Sequence, residues 1–261
     1  MPAPDRSETL ELQPLLTSAQ DVLRTERRRT VDEQQAYESF GRRLRTIAPD
    51  GVKATTERTT LLEPVETKGL KRVREAFEAT VMSVPHFGEE YGEPYEACLA
   101  GEFSPEIAAA LTSRGHLDGD CKQTVVESVA VAQRARDEFL DSIDAETASL
   151  EGAAEVLIPI REELADFDTE TLINGGFGSV EAGIARLGVV EETCETVAKR
   201  RQRTIDAQRS RLYDDPEILD VPTYVYQELP VTYPVLWSVA ELGTEIEAKR
   251  RALERAAGEC Q

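Results

Sequence analysis

The sequence predicts an all-α protein: long, partly coiled-coil helices in an antiparallel bundle, with a satellite of short helices at residues 86–117. Three observations carry this. Apolar residues recur at alternating steps of four and three over about residues 14–48, 66–84, 119–166, 179–213 and 235–258, the spacing of one stripe along a helix. Turn-forming Gly and Pro gather mainly between those stretches. The one extended-looking run, Tyr224–Tyr226, has no second run with which to pair in a sheet. Residues 1–261 therefore read as a single elongated helical domain, with an aromatic, proline-bearing connector at 214–234.

Pro14 suits the first turn of a helix, where a missing N–H costs nothing. From there Leu12, Leu16, Ala19, Leu23, Glu26, Thr30, Glu33, Tyr37, Phe40, Leu44 and Ile47 form one seam, apolar at both ends and polar in the middle. Residues 48–64 carry Pro-Asp-Gly and a Thr-rich run, which is turn chemistry. A short helix follows at 66–84, with Leu70, Val73, Phe77 and Thr80 inward, and Pro85 ends it.

Between His86 and Leu117, four glycines and two prolines divide the chain into three helix-sized pieces. Ser104 followed by Pro105 reads as an N-cap with Pro at the first helical position. The next helix has the seam Val125, Val129, Ala132, Arg136, Phe139, Ile143, Glu146 and Leu150. Its apolar pattern continues past Gly152 and Pro159, which are expected to kink it without stopping it. Asp168–Asn174 is a short turn of helix, and Gly175–Gly178 breaks the chain. Ser179 is the expected N-cap of a helix with the seam Val180, Ile184, Leu187, Glu191, Cys194, Ala198, Arg201, Ile205, Gln208 and Leu212. After the connector, Val235, Val239, Leu242, Ile246, Lys249, Leu253 and Ala256 line the last helix.

These last two helices are expected to fold back antiparallel about Thr223. That register sets Lys249–Arg251 near Glu191–Glu195, and Arg200–Arg203 opposite Glu241–Glu247. It also brings Leu212 to Val235 or Val239 and Cys194 to 249–256. A parallel arrangement would set like charges side by side. In the connector Tyr224, Tyr226, Tyr233 and the single tryptophan, Trp237, are expected to plug the bundle end, with Trp237 substantially buried. The same four are the candidate interaction residues if the connector instead binds a peptide.

The chain holds 30 Lys+Arg against 50 Asp+Glu, a formal net charge of -20. Only six of the basic residues are lysine, and residues 84–195 contain 6 basic against 25 acidic groups. Excess carboxylate with scarce lysine suits a salty cytoplasm, where a Debye length of about 3 Å at molar salt screens self-repulsion. Arg24, Arg27, Arg28 and Arg29 are interleaved with Asp21, Glu26, Asp32 and Glu33, so the cluster points away from nucleic acid. No apolar run approaches the roughly 20 residues of a membrane span, and the N-terminus lacks a signal pattern. A cytoplasmic chain without membrane contact is expected. Its four cysteines show no paired spacing and read as thiols.

Chemistry is most concentrated in His86-Phe87-Gly88-Glu89-Glu90-Tyr91. A histidine beside carboxylates can ligate a metal or act as a base. His86, Cys98, His116 and Cys121 share this region, but the tight paired spacing of structural zinc sites is missing. The metal candidates are His86, Glu89, Glu90, His116 and Cys121; the bland alternative is a histidine hydrogen-bonded within a turn. Gly175–Ser179 precedes a helix N-terminus, yet no strand leads into it and no Lys-Ser/Thr follows, so the phosphate-binding contexts fail. No catalytic set and no cofactor follow from the residues.

Three stretches, RTERRRTVDEQQAYESF, HFGEEYGEPYEACLAGEFSPEIAAAL and YVYQELPVTYPVL, resemble a family of uncharacterised haloarchaeal all-helical proteins. The resemblance covers most of the chain. It implies an archaeal cytosolic protein and, the family having no assigned activity, carries over no catalytic residue. Two function classes remain: a non-enzymatic helical scaffold or interaction protein, binding a protein partner or a second copy of itself, and a metal-binding enzyme or sensor centred on His86.

Overall fold

The computed structural model describes residues 10–50, 67–113, 115–211 and 221–259, and every regular element among them is helical. The helices are α1 (Leu12–Thr46), α2 (Lys68–Glu78), α3 (Phe87–Glu90), α4 (Tyr95–Glu102) and α5 (Pro105–Thr112). They continue as α6 (Gly119–Ala165), α7 (Thr169–Asn174), α8 (Phe177–Arg211), α9 (Val221–Val225) and α10 (Pro234–Glu259). No helix among the described residues is long and apolar enough to cross a membrane.

The stripes account for these elements. In α1, Leu16, Ala19, Leu23, Thr30, Tyr37, Phe40 and Leu44 are all buried, as their spacing requires. Helix α6 runs unbroken through Pro159. Ser104 caps α5, its Oγ accepting from the Ile107 N–H at 3.2 Å, with Pro105 at the first position. Asp168 caps α7 in the same manner.

Two boundaries differ from expectation. The stretch 66–84 is not one helix: α2 stops at Glu78 and a 3-10 turn follows at Val81–Ser83. There the buried Thr80 hydroxyl donates to Ala76 O at 2.7 Å, a local bond that competes with helix continuation. Ser179 is not an N-cap, because α8 already begins at Phe177 after Gly176 turns the chain at φ +82°, and the Ser179 hydroxyl donates back to Gly175 O.

The chain divides into two compact units, residues 27–141 and residues 1–26 with 142–261, the divisions falling within α1 and α6. In the first, α1 lies antiparallel to α6: Glu33 meets Arg136, a Cβ on Gly41 would lie 3.2 Å from Val129, and Lys122 reaches Ile47 O. Phe77 of α2 sits at the centre, edge-on to Phe40, Tyr95 and Phe103 at 5.1, 5.7 and 6.0 Å. The short helices contribute Tyr95, Cys98, Leu99, Ala108 and Leu111 to that same core. They are thus built into the unit. Asp50 ties the end of α1 to the start of α2, accepting from the Gly69 and Leu117 N–H groups and from Thr67. Burial works against its charged form, but those three bonds win and hold its carboxyl below the usual range.

In the second unit α8 and α10 pair most extensively. Arg209 donates to Tyr233, Glu191 accepts from Arg250, and a Cβ on Gly183 would lie 3.0 Å from Leu253. Residue numbers rise along α8 as they fall along α10, so the hairpin is antiparallel. Gly183 is needed for that approach, since its Cβ would also come within 2.9 Å of Leu172 on α7. The contact expected of Leu212 lies outside the described residues.

Candidate functional site

Where the heptad seams turn polar, charged side chains are forced toward the interior and must find partners there. Each unit holds one such cluster that is largely buried among the described residues.

In the unit 27–141, Glu33 of α1 faces Arg136 of α6, whose Nε donates to Glu33 Oε2 at 3.1 Å. The same guanidinium donates through NH2 to Glu102 Oε2, at the end of α4, at 2.8 Å. It also lies 4.7 Å from the centre of the Tyr37 ring. The other oxygen of Glu33 receives the Tyr91 hydroxyl at 3.0 Å and faces His86 Nε2 at 3.2 Å. One arginine thus bridges two carboxylates, and a turn bearing His86 and Tyr91 closes over them. The charged side chains are 14–18% exposed and His86 is 6% exposed, so the cluster is mostly covered and keeps some solvent access. Burial alone would favour loss of the Arg136 proton, but Glu102, Tyr37 and Glu33 outweigh it. Burial first, then Glu102, raises the Tyr37 phenol far above its usual range; burial and Glu33 do the same to Tyr91. The Cys98 thiol is pushed up to about 12, by burial and then by Glu102 and Glu93, so it is inert as a nucleophile near neutrality.

In the other unit, Glu146 of α6 is fully buried and its two oxygens accept four hydrogen bonds. Arg201 of α8 supplies two, each at 2.7 Å, in a fork-to-fork pair. Gln208, two turns along α8, donates at 3.1 Å, and the Tyr226 hydroxyl at 2.8 Å. Ser149 meets the same arginine at 3.2 Å. Arg201 is only 2% exposed and Glu146 0%. Burial and then Glu146 hold the Tyr226 phenol well above its usual range, so Tyr226 remains a donor. Arg201 Nε and Gln208 Oε1 have no hydrogen-bond partner among the described residues. Tyr226 directly follows α9, so this bond pins the connector onto α6 and α8.

The sequence-stretch candidates fall differently. The carboxylate that meets His86 is Glu33, not its neighbours. Glu89 lies at the surface, 3.6 Å from Arg29, and the Glu90 side chain lies outside the described residues. His116 is half-exposed, 3.9 Å from Asp118, and Cys121 is buried in the core, outside any disulfide. No three His, Cys, Asp or Glu side chains among the described residues converge as a metal would need. The physical reason is local: the turn closes over Glu33, whose second oxygen is already held by Arg136.

The aromatic connector also needs correction. Its most deeply buried aromatic is Tyr226, 1% exposed, while Trp237 is of intermediate burial. The inward stripe of α10 is Val235, Ser238, Leu242, Ile246 and Leu253, and Trp237 stands off it. Tyr224 is 46% exposed and donates to Glu26 at 3.2 Å, while Tyr233 accepts from Arg209. Arg201 does not meet Glu241–Glu247; it turns to Glu146, and Glu245 pairs with Arg161 instead. Arg250 does meet Glu191, at 2.6 Å.

Fold and site together define an all-α protein of long helices whose polar seams close into buried arginine–carboxylate clusters. Residues 15–250 match the DUF7260 family, a domain of unknown function, and the chain belongs to that family. No curated protein and no solved structure matches it.

Proposed function

We propose that the chain is a non-enzymatic helical scaffold or protein-interaction protein of a high-salt cytoplasm, of haloarchaeal origin, its long helices paired in coiled-coil manner. The observation that carries this reading is the closure of both ionic clusters. Arg201 neutralises Glu146, Arg136 is shared between Glu33 and Glu102, and the phenols nearby are held protonated. A catalytic site needs a group poised to exchange a proton or bond with a substrate; these groups are committed to one another. Such clusters fix which helices pair and at what level, which suits a part that presents a surface. The acidic composition fits a surface kept in solution by charge under screening salt.

Size-exclusion chromatography with light scattering in molar salt, combined with partner capture, tests the reading. It expects a defined self-assembly or a stoichiometric partner. A strict monomer that recovers no partner contradicts it.

A further inference from the structure

The unit formed by residues 1–26 and 142–261 carries an open groove of about 910 Å³ that shares no lining residue with the Glu146 cluster. One wall is the first turns of α1, including Pro14, with Glu11 just before it; the other is α10; Arg161 of α6 lies at its side. Trp237, Glu241 and Glu245 follow one another at helical spacing and so share a face of α10. The lining on α10 runs from Trp237 to Ala248, about 16 Å at the helical rise, the reach of roughly five extended residues. The shape is a slot.

Its charges are uneven. Arg161 pairs with Glu245, and Lys249 approaches the same carboxylate at 3.6 Å, so Glu245 is already compensated. Glu11 and Glu241 are exposed and carry no ion pair among the described residues. An indole that shares a groove with two carboxylates carrying no ion pair among the described residues favours a cation beside an apolar group: the carboxylates attract it and the ring accepts it, arginine best because its guanidinium is planar and weakly hydrated.

We propose that this slot receives an extended segment of a partner protein in which a large apolar side chain is flanked by arginine or lysine. The apolar side chain covers Trp237, and the flanking cations meet Glu241 and Glu11. This rests on the interaction reading above and adds the chemistry of the partner.

Trp237 is the only tryptophan of the chain, so its emission reports on the slot directly. The probe is an acetylated, amidated pentapeptide of alternating arginine and leucine, with its glutamate–leucine counterpart as control. A saturable shift of Trp237 emission is expected with the arginine peptide alone. Glu11→Gln with Glu241→Gln should weaken that binding roughly three- to tenfold at low salt, the scale of two exposed ion pairs. Glu181→Gln with Glu192→Gln removes the same charge from outside the groove and should leave binding unchanged. No shift, or equal weakening by both double variants, overturns the proposal. So does an emission change that follows protein concentration without peptide, which assigns the slot to a second copy. Binding that emerges only on deletion of residues 2–9 also overturns it, in favour of the chain's own N-terminal residues. A natural partner that still binds the Glu11→Gln, Glu241→Gln variant sinks the groove and leaves the scaffold reading standing.

Discussion

Glu146 and Glu33 are both carboxylates facing arginine from an adjacent helix, yet they sit in different kinds of company. Around Glu146 there is one acid and one arginine, fully enclosed, with neutral donors from Gln208 and Tyr226. Around Glu33 there are two acids sharing Arg136, a histidine and a tyrosine, with some solvent access. In the first cluster each charge depends on a single opposite charge. In the second, Arg136 keeps Glu102 if Glu33 is lost, and Tyr91 remains 37% exposed. The difference teaches that enclosure and redundancy, more than the number of contacts, decide how much each residue matters.

The largest expected effect is at Glu146. Glu146→Ala strands the Arg201 charge in the interior and removes the acceptor of Gln208 and Tyr226, so denaturant unfolding should show a loss of about 3–5 kcal/mol. Arg136→Ala leaves Glu33 and Glu102 facing each other without their shared cation. Because these groups keep some water, a smaller loss of about 2–3 kcal/mol is expected by the same assay. A loss at Arg136 equal to or above that at Glu146 would break the comparison.

Tyrosine hydroxyls sharpen it further. Tyr226→Phe removes a buried bond to a charged acceptor and should cost about 1.5–2 kcal/mol, whereas Tyr91→Phe, nearer solvent, should cost about 0.5 kcal/mol. Comparable values would mean the two carboxylates are equally enclosed.

The smallest effect is in pH. Tyr37, Tyr91 and Tyr226 have folded-state pKa values raised above the unfolded value of about 10, and Cys98 is raised to about 12. Groups of this kind keep their stabilising contribution below the unfolded pKa and lose it as pH rises, because the unfolded chain releases the proton first. Unfolding midpoints should therefore hold near neutrality and decline from about pH 9 upward. A rise over that range would contradict the burial assigned to these groups.

Much of the fold was legible in the residues because a heptad stripe reports burial locally. The seam through α6 named Val125, Val129, Ile143 and Leu150, all buried, and it also named Arg136 and Glu146 as interruptions. The partners were not legible. The spacing sets Arg201 opposite Glu241–Glu247 on α10, but a fully buried guanidinium needs an equally buried carboxylate, and among the described residues Glu146 of α6 supplies it. His86 was likewise read with its neighbours, while its contact is Glu33, on α1. Sequence spacing shows that a charge lies on an inward face; it does not show which inward face meets it. Trp237 lies off the inward stripe of α10 and is of intermediate burial, so the spacing of that stripe says nothing of what covers it.

The central claim, that each cluster is a closed unit in which charges hold one another, is tested most directly by a pair of double-mutant cycles on unfolding free energy. One uses Glu146→Leu and Arg201→Met, the other Glu33→Leu and Arg136→Met. For the enclosed pair each single change should be costly and the double change far less costly than their sum, a coupling of about 2–3 kcal/mol. For the shared pair the coupling should be clearly smaller, since Glu102 still holds Arg136 when Glu33 is gone. Additive losses at Glu146 and Arg201, or stronger coupling at Glu33 and Arg136, would contradict the account.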